Sequence, residues 1–224
     1  MKSNSAIRAG LLSVTILATS VIGGCASAYY DTIETLTGME KRDLLVERVV
    51  KAAASQEEAK EEFVSALDAF RAVVDIDGGE LEATYDRLNA SYESAEKEAD
   101  RVRTRVKDVQ IVARDLFKEW RKELDQYSSA SLRATSERQL RETEQRYEEL
   151  ERRMQKASSS MDPVLAVFKD RVLYLKHNLN SRAIAALEGE AEQIETDVSA
   201  LIADMERSIA EADAFIKDMR GETA

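Results

Sequence analysis

The chain has 224 residues, 33% of them charged and 6% aromatic, with 8 Gly, 1 Pro and a formal net charge of −11. So little Gly and Pro excludes a turn-rich all-β fold and points to long helices, and so acidic a balance disfavours phosphate polymers as partners. A single cysteine and a single histidine leave no intramolecular disulfide and no His-pair metal site.

Residues 1–8, MKSNSAIR, are short and basic, and residues 9–22, AGLLSVTILATSVI, are an apolar run. That is the layout of a signal peptide, and the run is shorter than the ~20 residues that span a bilayer. Ile22-Gly23-Gly24-Cys25 follows at once. It resembles the lipobox of bacterial lipoproteins, an aliphatic residue and two small residues before the cysteine. The resemblance implies a diacylglycerol thioether on Cys25, cleavage before it and acylation of the new amino terminus. Two or more acyl chains anchor stably where one binds marginally. Ala26-Ser27-Ala28 offers a rival, the A-x-A pattern of ordinary secretory cleavage, which would release a soluble protein starting at Tyr29. Loss of Lys2 and Arg8 with residues 1–24 would bring the net charge to about −13.

Residues 25–39 read as a tether, and residues 40–220 as a helical domain. A first helix, near 40–75, carries Leu45, Val49, Ala52, Gln56, Ala59, Phe63, Ala66, Phe70 and Val73 at alternating steps of four and three. It should end at Asp77-Gly78-Gly79. A second helix, near 80–127, has its stripe from Leu81 through Tyr85, Tyr92, Val106 and Trp120 to Tyr127, interrupted at Glu123. The Ser-rich stretch 127–131 is the next corner.

The third helix, near 132–179, runs from Leu140 through Tyr147, Met154 and Phe168 to Leu179 and crosses Pro163. Because the apolar phase continues past the proline, a kink or brief joint is expected there rather than a loop. HNLNSR, residues 177–182, places Asn at helix-ending positions. A fourth helix, near 183–219, carries Ile184, Leu187, Ala191, Ile194, Val198, Leu201, Met205, Ser208, Ala212, Phe215 and Met219. The expected fold is all-α, an elongated antiparallel bundle or coiled coil of about four long helices, each about 60 to 75 Å in length. An open hairpin that pairs with a second subunit is the competing architecture. Trp120 and the tyrosines at 85, 92, 127 and 147 lie on the stripes and are expected in the seam.

Little in these helices points to chemistry. RVRTRVK, residues 101–107, is the one basic cluster, and its acidic flanks make it a solvated helix face rather than a nucleic-acid patch. Tyr174 stands three residues before His177, so the Glu-x-x-His motif of di-iron bundles is missing. His177 with Lys176 instead suits the carbonyl end of a helix. No nucleophile elbow, GxGxxG or P-loop pattern occurs. No cofactor, metal or catalytic residue is therefore expected.

The stretches GMEKRDLLVERVVKA, SQEEAKEEF, LFKEWRKEL and VLYLKHNLN resemble an uncharacterised family of Gram-negative bacteria, catalogued as a domain of unknown function. The resemblance runs from about Tyr29 to Lys217. Some members carry a DNA-repair label, but this chain has no ATP motif to go with it. The resemblance implies an envelope setting, in which Ala26, in place of an aspartate after Cys25, would imply sorting to the outer membrane. The resulting expectation is a lipid-anchored envelope module facing the periplasm, without catalytic activity. It would contact the membrane through its anchor, and an unknown envelope protein or another copy of itself through its faces, and would not bind nucleic acid. A soluble periplasmic ligand-binding or enzymatic bundle is the alternative, and a DNA-repair-associated coiled coil is disfavoured.

Overall fold

A computed structural model describes residues 40–76 and 80–222. Helix α1 spans Lys41–Val74, α2 Leu81–Glu123, α3 Ala130–His177, α4 Ser181–Glu188 and α5 Ala191–Met219. A single 3-10 turn, Leu124–Gln126, follows α2. No strand occurs among the described residues. The fold is all-α.

The four-three spacing is what drives it. Every position of the first stripe, from Leu45 to Val73, is buried, Gln56 included. On α2, Leu88 to Leu116 are buried at the same spacing, and on α3 the stripe holds from Tyr147 to Leu175. Helix α1 packs against α2 and α5, and α3 packs against the same two. Each long helix thus has two neighbours, which closes the ring into a four-helix bundle and rules out the open hairpin. With 43 residues, α2 is about 65 Å long.

Edge-to-face rings lock the interior. Phe70 and Phe168, on the diagonal helices α1 and α3, have centroids 6.5 Å apart. Tyr147 sits between Phe117 of α2, at 5.4 Å, and Phe215 of α5, at 6.4 Å. Such pairs contribute about 0.5–1.5 kcal/mol beyond the apolar area they bury.

Short-range chemistry sets the corners. Ser129 caps α3, its hydroxyl accepting from the Leu132 amide. Asn180 caps α4, its side-chain oxygen accepting from the amides of Arg182 and Ala183 at 3.1 Å each. Asn178 ends α3 and donates from its amide to the Tyr174 carbonyl. Gly221 ends α5 with φ of 71°, and the Glu222 amide bonds back to the Lys217 carbonyl, the left-handed stop that only glycine adopts cheaply. The expected corner at Gly78 and Gly79 lies outside the described residues.

Three expectations need correction. Helix α2 stops at Glu123, and the turn after it buries Leu124 and leaves Tyr127 42% exposed, so Tyr127 is not a seam residue. Helix α3 begins two residues early and ends at His177, which leaves Leu179 outside it and exposed. Pro163, by contrast, lies within one continuous helix with no loop, as the unbroken apolar phase led one to expect. It faces solvent, so the missing N–H costs one surface hydrogen bond and no packing.

The fourth helix is two. Gly189 and Glu190 separate α4 from α5, and the Glu190 amide bonds to the Leu187 carbonyl. The break lets Ala183, Ile184 and Leu187 bury against α1 and α3, while Ile194 onward lines the core from the side.

Candidate functional site

Cys25 and the lipobox-like residues Ile22, Gly23 and Gly24 lie outside the described residues. What is visible is the end of the bundle from which they precede. There the start of α1 meets the last turns of α2 and α5 and the early turns of α3, around a cleft of about 640 Å³. Its walls include Lys41, Arg42, Glu119, Trp120, Glu142, Arg146 and Asp218.

Paired charges hold these walls together. Lys41, only 9% exposed, reaches Glu119 at 3.0 Å and ties α1 to α2. Arg146 pairs with Asp218 and joins α3 to α5. Arg121 pairs with Glu144 beside them. The Trp120 indole N–H donates to the Ser136 hydroxyl at 2.8 Å, which accounts for the burial of that serine. Among the described residues of the lining, Thr143 carries the one hydroxyl, and no histidine or cysteine stands beside it. Among the described residues the cleft is a clasp of ion pairs in which no nucleophile meets a base.

A second polar cluster sits midway along α5. Asp204 accepts from Lys156 at 2.7 Å and from Ser160 at 2.8 Å, both on α3, and pairs with Arg207 on its own helix. Burial by itself would push the Asp204 carboxyl up. The hydrogen bonds from Lys156, Arg207 and Ser160 outweigh it and bring the group down to about 2. Asp204 falls between the stripe positions Leu201 and Met205, so spacing gave it no distinction; only the α3–α5 approach reveals its partners.

The other candidates resolve plainly. In the basic cluster, Arg101 pairs with Glu58 at 2.8 Å and Glu98 at 3.0 Å, Arg103 with Asp100 and Asp162, and Arg105 with Asp108 at 3.5 Å. Val102 and Val106 between them are core residues. The three arginines of the cluster are each paired within the chain. His177 is exposed in the last turn of α3. Burial, reinforced by a hydrogen bond to Glu96, pushes the Tyr92 phenol up to about 12, and burial also raises Tyr147. Both phenols therefore stay protonated at neutral pH. Among the described residues no group of three or more His, Cys, Asp or Glu side chains is placed to hold a metal ion, and no helix is long and apolar enough to cross a membrane.

Bundle, clasp and paired arginines define a class: an acidic four-helix bundle held by a heptad core and cross-helix ion pairs. Residues 29–219 match the family described as protein of unknown function, DUF2959, and the chain belongs to that family. No curated protein matches the chain.

Proposed function

We propose that this protein is a lipid-anchored structural or protein-interaction module of the cell envelope, held at the outer membrane, facing the periplasm and acting without catalysis. The observation that carries the reading is Ile22-Gly23-Gly24-Cys25 at the end of a signal-type apolar run. The bundle suits that placement. Helix α1 begins at Lys41, and the residues from Cys25 to Glu40 reach at most about 55 Å when fully extended. The ion-pair clasp would then be the membrane-side end of the rod, and α4 would cover the far end. The partner is an envelope protein or a second copy of the chain.

Ala26-Ser27-Ala28 favours a second reading, a soluble periplasmic bundle beginning at Tyr29. One experiment separates them. Expressed in a Gram-negative host, the protein should label with a radioactive fatty acid and sediment with membranes, and Cys25→Ser should abolish both. An intact mass corresponding to an unmodified chain from Tyr29 would overturn the anchor.

A further inference from the structure

Gln56 and Ser208 are both fully buried, on α1 and α5. Neither the amide nitrogen and oxygen of Gln56 nor the hydroxyl of Ser208 meets a hydrogen-bond partner among the described residues. Polar atoms without partners are rare in a native core, because each one loses its hydration without replacement. Two such residues in one bundle call for a physical account.

The helix register puts them together. Lys60 of α1 approaches Glu206 of α5 at 3.9 Å, and Arg71 pairs with Glu195. The helices are antiparallel, so the position four residues before Lys60 stands level with positions just after Glu206. Gln56 and Ser208 therefore occupy one layer. The buried stripe residues at neighbouring positions are apolar and supply no hydrogen-bond partner. Ala59 and Ala157 contribute little volume, and Met154 and Met205 fill irregular gaps without supplying a strong donor or acceptor. One turn from Ser208, Asp204, Ser160 and Lys156 form a polar seam that leads to solvent.

We propose that this layer is an internal hydration site that takes one water molecule between Gln56 and Ser208. The chemistry fits a water and little else. The amide oxygen accepts from it, the amide N–H₂ donates to it, and the serine hydroxyl does either, which gives the two or three hydrogen bonds a buried water makes. Bridged in this way, α1 and α5 are fixed in one register, because a slip of a single turn would set Gln56 against an apolar side chain. The Asp204 seam is the route by which the water exchanges.

Oxygen-17 relaxation dispersion of the purified protein tests the site, since it detects water held for longer than the protein tumbles. The parent should show a long-lived water that is lost in Gln56→Leu/Ser208→Ala while the circular dichroism spectrum stays the same. Identical dispersions for parent and double variant would overturn the site. Should the double variant fail to fold, Ser208→Ala removes one hydroxyl only, and crystal structures of parent and single variant decide. Solvent density bonded to Gln56 and Ser208 in the parent, displaced or weakened in Ser208→Ala, supports the proposal. A dry layer in the parent, or a Gln56 amide bonded to protein groups, refutes it.

Discussion

The Asp204 carboxyl ties stability to pH. Its folded value of about 2 lies below the ordinary 3.8, so the group binds its proton less readily in the bundle than in the unfolded chain. The stabilisation is therefore complete above pH 4 and is lost as pH falls from about 4 to 2. The full shift corresponds to just over 2 kcal/mol; with Lys156 and Arg207 largely in solvent, about 1–2 kcal/mol is the expected size. Urea melts should show Asp204→Asn less stable than the parent by that amount at pH 7, with the difference vanishing near pH 2. A constant difference across that range would mean that packing, not charge, is what Asp204 supplies. Core residues set a larger scale. Phe63 is fully buried, and Phe63→Asp removes an aromatic ring and leaves a carboxylate without a partner, at a cost of about 4 kcal/mol or more. Val106→Asp should follow it. His177→Ala, at an exposed helix end, should melt with the parent; an early melt would make the end of α3 a site in its own right.

Among the elements, the joint between α4 and α5 shows where periodicity misleads. Leu187, Ala191 and Ile194 keep the four-three step across Gly189, just as Met161, Val164 and Phe168 keep it across Pro163. One helix breaks and the other does not. The difference is what each segment covers, since α4 packs against α1 and α3 while α3 has packing on both sides of its proline. The Arg171–Glu190 ion pair holds the joint. Gly189 has ordinary right-handed backbone angles, and a methyl group added there would meet nothing within 4 Å. Gly189→Ala should therefore stabilise the protein by about 0.5–1 kcal/mol, chiefly by restricting the unfolded chain. A destabilised variant in thermal melts would show that the joint must flex more than its angles suggest.

At the scale of the whole molecule, closure of the ring has electrostatic consequences. Helix faces that read as charged runs become pairs across neighbours, as with Arg101 and Glu58, Arg103 and Asp162, and Arg71 and Glu195. Each exposed pair contributes little to stability. Together they lower the positive potential that these arginines would present to a phosphate backbone. Fluorescence anisotropy with a labelled duplex should show no binding at physiological salt, because sequence-independent affinity scales with the number of phosphates neutralised. A salt-sensitive micromolar complex would restore the nucleic-acid reading.

The heptad stripes, legible in the bare chain, were enough to determine the all-α class, the number of long rods and nearly all of the core, because burial on a helix follows the 3.6-residue repeat whatever the partner is. The lipobox-like run Ile22-Gly23-Gly24-Cys25 is a local pattern too, and the reading of it rests on sequence alone. Tertiary structure decided what depends on two helices meeting: the closed ring, the ends of α2 and α3, the split at Gly189, the pairing of Asp204 with Lys156 and Ser160, and the shared layer of Gln56 and Ser208. A stripe states that a side chain is buried. Which atoms face it is fixed by the register between helices, and that register comes from packing at a distance along the chain that no local spacing encodes.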